Sequence, residues 1–151
     1  HKGLSSDIEN QSYETTLLEH GVLQMAKSKH KNDSIGGEGI INGIPSNQIY
    51  ALYFWLFPNI MLNVYKWGIS VNIIEPISKE KTRIRFISLP LNGLKQTHGK
   101  NNSIDQIEAE DQKIVLSVQK GIKSKFYNKG RYSATYEKGT HHFHRIISSY
   151  L

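Results

Sequence analysis

The sequence predicts an α+β domain in which a curved antiparallel sheet is laid down first and a long helix follows. Three observations carry this. Short runs of alternating or densely apolar residues, separated by turn residues, fill the stretch from Tyr13 to Leu89. One clear 3.6-residue pattern begins only after residue 103. Strands followed by helix, rather than strands alternating with helices, favours an antiparallel sheet with helices on one side.

The elements follow in order. His1 to Ser6 and Asp7 to Ser12 are polar and loop-like. Tyr13–Leu18 and Gly21–Lys27 are two strands, with His20 and Gly21 between them or marking a bulge. Lys29 to Asn47 is rich in Gly, Asn, Ser and Lys and reads as a long mobile loop. Tyr50–Phe57 is a dense apolar strand ended by Pro58. Ile60–Tyr65 and Trp67–Glu75 follow, the latter closed by Pro76, and Thr82–Leu89 alternates from Arg83 through Phe86. This is a meander of antiparallel strands. Leu91–Ser103 is a second polar loop, and the long helix runs from Ser103 or Asp105 to Phe126. Ser103 stands where an N-cap belongs, with acids in the first turns. Glu137–Leu151 is a short terminal helix.

On the long helix Ile107, Ile114, Val115, Val118 and Ile122 form one apolar stripe, and Asp111 falls within it. A carboxylate facing a core needs a positive partner. Glu108 and Glu110 are read as pointing to other faces.

Composition sets the outer limits. The chain of 151 residues is long enough for one domain with a core. Its 38% hydrophobic and 21% charged residues suit a globular protein rather than a disordered one. The net charge of +6 is spread along the chain. With no nucleic-acid module pattern it reads as surface solvation, so no nucleic-acid partner is expected. Cysteine is absent, which excludes disulfides, thiolate zinc sites and iron–sulfur ligation within the chain. The longest apolar run, Tyr50 to Phe57, is strand-sized, so no membrane span is expected.

Several motifs together resemble a known family. They are W-L-F-P-N-I-M-L-N (Trp55 to Asn63), W-G-I-S-V-N-I-I-E-P (Trp67 to Pro76), T-R-I-R-F (Thr82 to Phe86), E-D-Q-K-I-V-L-S-V-Q-K-G (Glu110 to Gly121) and G-R-Y-S-A-T-Y-E-K-G-T-H-H-F-H-R (Gly130 to Arg145). In this order they resemble the catalytic domain of Rieske-type non-haem iron ring-hydroxylating oxygenase large subunits, in the branch of choline and carnitine monooxygenases.

The resemblance implies a helix-grip fold and a mononuclear Fe(II) held by two histidines of an H-x-x-x-x-H segment and one aspartate of the long helix. The opening H-K-G-L resembles the family's H-P-G-L, which makes His1 the second histidine and places the first upstream. Asp111 matches the carboxylate. The implied reaction activates O2 to hydroxylate an aromatic or quaternary ammonium molecule. Electrons come from NAD(P)H through a reductase or ferredoxin and a 2Fe-2S Rieske cluster whose ligands lie upstream. A homotrimer and a cytoplasmic location are expected. The chain opens on His1 rather than Met and is read, over 1–151, as the catalytic part of a longer protein without its Rieske domain.

Strand alternation places Tyr53, Trp55 and Phe57 on one face and Phe54 on the other. With Tyr65 and Trp67 these form an aromatic group, read as core for the most part. Tyr53 and Trp55 are candidate pocket walls, and an aromatic cage for a quaternary ammonium is one version. Asn63 and Asn72, polar within apolar strands, are candidates to orient a substrate or water. No catalytic residue is assigned beyond the metal ligands. His141, His142 and His144 form a dense tract on the terminal helix, where a structural or interface role is favoured over metal binding. His20, His30 and His98 are read as surface residues. The alternative reading is a non-catalytic helix-grip domain that binds a small molecule.

Overall fold

The computed structural model describes residues 8–9, 13–91, 97–98 and 102–151. Its centre is one antiparallel sheet in the order β1-β2-β5-β6-β7-β8. The strands are β1 (Glu14–Leu18), β2 (Gly21–Lys27), β5 (Ile49–Leu56), β6 (Ile60–Tyr65), β7 (Gly68–Ser78) and β8 (Lys81–Pro90). Each strand lies beside a neighbour close to it in sequence, as short connections dictate. Two-residue strands form two small hairpins: β3 (Ile40–Ile41) with β4 (Ile44–Pro45), and β9 (Thr97–His98) with β10 (Asn102–Ser103). Two helices follow, α1 (Ile104–Gly121) and α2 (Lys138–Ser148). The expected α+β, mostly antiparallel architecture is therefore present.

Alternation divides the sheet into two faces. On one face Leu23, Met25, Ile49 and Leu52 are buried together with Ile44, and Ile35, Ile41, Phe54 and Val64 pack against them. On the other, Ala26, Ala51, Tyr50, Tyr65 and Trp67 form a second cluster with Ile8, and Tyr53 packs on it.

The segment expected to be a mobile loop, Lys29 to Asn47, is instead built into the first of these cores. Its Ile44 is buried, and Ile35 N–H donates to Ile49 C=O at 2.8 Å. Asn42 and Gly43 turn the β3–β4 hairpin with φ of 53° and 83°, the Asn-Gly pattern such turns select. The isoleucines spaced among polar residues were the signal for this hairpin.

Pro76 does not close β7, which runs on to Ser78. The β6 ladder ends at Ile60↔Ile73, so beyond it β7 pairs only with β8 and a residue without an N–H is tolerated.

The long helix ends at Gly121 rather than Phe126, and a run of turns follows. Its apolar stripe is a further correction. Ile114, Val115 and Val118 are each more than half exposed, and Ile122 nearly so. Periodicity identifies an apolar face but not what covers it. Among the described residues nothing covers this one, and Asp111 accordingly does not lie in a buried stripe. No described helix is long and apolar enough to cross a membrane.

Candidate functional site

The second face of the sheet floors a cavity of about 560 Å³. Strand register determines what that floor displays. One row reads across five strands: Gln24 opposite Tyr53, Tyr53 opposite Asn63, Asn63 opposite Ser70, and Ser70 opposite Ser88. The adjacent row is Val22, Trp55, Met61, Asn72 and Phe86. Polar side chains thus line up beside an apolar row. All of these from Val22 to Asn72 line the cavity, whereas Ser88 and Phe86 on edge strand β8 do not.

The helices supply the other walls. Asp111 and Glu108 of α1 line the same cavity, as do Gly139, Thr140 and Phe143 of α2. Glu108 was expected on another face, but residues three apart share a helix face, so it accompanies Asp111. Phe143 meets Trp55 edge-on at 4.6 Å between ring centroids. Helix α2 lies close to β2: a Cβ added at Gly139 would stand 3.2 Å from Val22 Cγ1. His142 Nε2 is 2.7 Å from the Leu18 carbonyl oxygen, to which its N–H donates.

The electrostatics are one-sided. The charged residues among the described lining are Glu108 and Asp111. The carboxyl of Asp111 is held above its ordinary range by partial loss of water and by the neighbouring Glu110. A cation beside it would offset both effects. Burial pushes the phenols of Tyr53 and Tyr65 well up, so both are neutral hydrogen-bonding groups at any physiological pH.

Tyr53, Trp55, Asn63, Asn72 and Asp111 therefore meet at one cavity. The other proposed ligand, His1, lies outside the described residues. Among those residues no group of three His, Asp or Glu could hold a metal. The described residues thus offer a carboxylate at the cavity, not a complete donor set for a metal. The terminal histidines are drawn into packing. Tyr132 is hydrogen-bonded to His144 Nδ1 and meets the ring of His141 at 5.0 Å. Of the remaining aromatic group, Phe57 stacks on Tyr150 and Trp67 on Tyr65.

Several lining residues escaped the sequence reading: Tyr13, Gln24, Ser70, Glu108, Thr140 and Phe143. For Gln24 and Ser70 the signal was available, since each is a polar residue at a position whose strand neighbours two away also face the cavity side. For Phe143 it was not, because a helix docking across the sheet leaves no local pattern.

Residues 5–151 match the family described as ring hydroxylating alpha subunit (catalytic domain). Choline monooxygenase (chloroplastic) of Arabidopsis thaliana is 32% identical over 97% of this chain and 34% of its own length. The enzyme of the same name from Spinacia oleracea is 28% identical, over 95% of this chain and 32% of its own length. The chain thus spans about a third of these relatives.

Two solved structures share the fold. One is the quaternary ammonium Rieske monooxygenase CntA with an inhibitor, at TM-score 0.70 and 20% identity over 99% of this chain and 41% of that one. The other, a quaternary ammonium Rieske monooxygenase described in connection with carnitine oxidation by gut microbiota and inter-subunit electron transfer, has TM-score 0.66 and 20% identity over 99% of this chain and 42% of that one. With a family match spanning nearly its whole length, the chain belongs to the family of the ring hydroxylating alpha subunit (catalytic domain).

Proposed function

We propose that residues 1–151 are the oxygen-activating domain of a Rieske-type monooxygenase that hydroxylates a small quaternary ammonium compound. The observation that carries the proposal is the meeting of Asp111 with Tyr53, Trp55, Asn63 and Asn72 at one cavity. The family match and the names of the relatives support the reaction class. Aromatic faces together with Glu108, the carboxylate not assigned to iron, suit a bulky cation, which is attracted by ring quadrupoles and by negative charge. This favours a quaternary ammonium over an aromatic acid.

In this proposal Asp111, His1 and a histidine upstream of it hold Fe(II), which supplies dioxygen activation when bound. The chain's own residues do the rest. Tyr53 and Trp55 enclose the cationic end, while Asn63 and Asn72 orient the molecule above the sheet. A helix-grip arrangement of sheet and α1, a trimer, a Rieske 2Fe-2S cluster and electrons from NAD(P)H through a reductase or ferredoxin belong to the same proposal. So does a cytoplasmic location, although the curated relatives are named chloroplastic.

The test is iron content. Full-length protein reconstituted with Fe(II) should retain iron through desalting beyond that of its Rieske cluster, and the Asp111→Ala variant should lose that additional iron while keeping the same circular dichroism spectrum and the cluster's visible absorbance. Full retention by the folded variant would refute the ligand assignment. Retention without any oxidation of a quaternary ammonium would leave a binding domain in its place.

A further inference from the structure

The surplus of positive charge, read from the sequence as spread along the chain, is concentrated in the fold. Lys120, Lys123, Lys125, Lys129 and Arg131 follow one another where α1 ends in a run of turns, and no acid lies between Asp111 and Glu137. Lys123 Nζ is 3.0 Å from Glu80 Oε1. That contact joins the segment to the β7–β8 turn, where Lys79 and Lys81 flank Glu80. Outside these seven bases and one acid the chain holds twelve of each sign. The two joined segments therefore carry its whole net charge of +6.

Apolar groups stand among the bases. Every residue from 120 to 132 is exposed, and Phe126 is 97% exposed, so its whole ring is in water. Val118 in the last turn of α1 and Ile122 just beyond it are also exposed, as are Tyr127 and Tyr132. A single exposed ring needs no explanation. Aliphatic and aromatic side chains interleaved with lysines are the pattern of a surface that meets an apolar layer under an anionic one.

We propose that residues 118–132, with the adjoining β7–β8 turn, form a peripheral docking site for an anionic lipid surface. The bases meet the headgroup phosphates, and Phe126 enters the layer beneath them. Two features favour a membrane over other polyanions. Six of the seven bases are lysines. Protein interfaces are depleted in Lys, and nucleic-acid sites favour the fork of Arg, whereas a fluid array of headgroups needs only point charges. Against a polyanion without an apolar layer, Phe126 would gain nothing.

The placement is compatible with the cavity. None of these residues lines it. Lys120 lies about 14 Å beyond Asp111 along α1, at roughly 1.5 Å per residue. Insertion of about 5–10 Å at this end leaves the cavity clear of the headgroups.

The experiment is co-sedimentation of the full-length protein with vesicles of phosphatidylcholine alone and of phosphatidylcholine with phosphatidylserine, roughly two parts to one. The unsubstituted protein should sediment with the mixed vesicles at least about 10-fold more tightly than with the neutral ones, and salt of about 1 M should release it. Each base near the surface strengthens binding roughly fivefold, so Lys125→Gln with Lys129→Gln should weaken it roughly 25-fold. Phe126→Ser should weaken it roughly 10-fold. Lys29→Gln with Lys66→Gln, which removes the same charge elsewhere, should change it by less than about threefold.

Equal sedimentation with both vesicles would overturn the proposal, and this arm needs no substitution. Equal weakening by the two lysine pairs would overturn it as well, because the attraction would then belong to total charge and not to this segment. Binding to duplex DNA or to polyglutamate, with the mixed vesicles left unbound, would assign the surface to another polyanion and overturn the lipid.

Discussion

Gly68 begins β7 at a φ of 145°, in a region that residues with a side chain rarely enter. A Cβ placed there would lie 2.3 Å from Leu89 O, 2.9 Å from Pro90 Cα and 3.0 Å from Leu91 N. All three are backbone atoms of β8 or the residue after it, so no side-chain rotation relieves the clash. Either the end of β8 moves off β7 or Gly68 moves off β6, where it pairs with Tyr65.

Backbone strain of this kind costs about 1–3 kcal/mol. Forcing packed segments apart costs about 1–3 kcal/mol more. For a chain of this size the combined loss lowers the melting midpoint by roughly 10 °C. Gly68→Ala should show this drop by circular dichroism, and backbone amides near Leu89 should exchange faster because Leu91 N–H donates to Trp67 C=O across the same junction. Gly39→Ala is the control, since a Cβ there meets nothing within 4 Å. A Gly68→Ala midpoint within about 2 °C of the unsubstituted protein would refute the reasoning.

Two further outcomes are expected. Phe143→Ala should cost about 2–3 kcal/mol in urea unfolding, below the range for a fully buried ring because Phe143 is half-buried, and should redden tryptophan emission as Trp55 loses its edge-on partner. Tyr53 and Tyr65 hold their protons more tightly folded than unfolded, so the folded state binds more protons above about pH 10 and its stability falls as pH rises past that point. Phenolate absorbance should show a group of tyrosines that ionises only together with unfolding. Smooth ionisation of every tyrosine in the still-folded protein would contradict their burial.

The strands were legible because alternation is local. Gly21–Lys27 and Ile60–Tyr65 have the expected ends, and β5 is displaced by one residue. The apolar face of α1 was legible too, but its environment was not, because what covers a face is decided by elements remote in sequence. Lys29–Asn47 was misread for a related reason: its composition is that of a loop, while three isoleucines, Ile35, Ile41 and Ile44, suffice to tie it to the sheet. At the site, alternation alone nominated Asn63 and Asn72. The row joining Gln24, Tyr53, Asn63 and Ser70 needed the pairing register, which the sequence does not print.

That row also has a bearing on how the chain reaches its fold. A slip of β6 by one residue would turn Asn63 away from the cavity and toward the core of Leu23, Met25 and Ile49, and would bring Leu62 or Val64 to the floor. A mispaired sheet would therefore bury an amide in a dry core and expose aliphatic side chains to a wet cavity, a double loss that disfavours it during folding. The polar residues of the cavity floor would, on this account, also sort the chain's own pairings, and substitutions at Asn63 should be judged by folding yield as well as by what the cavity binds.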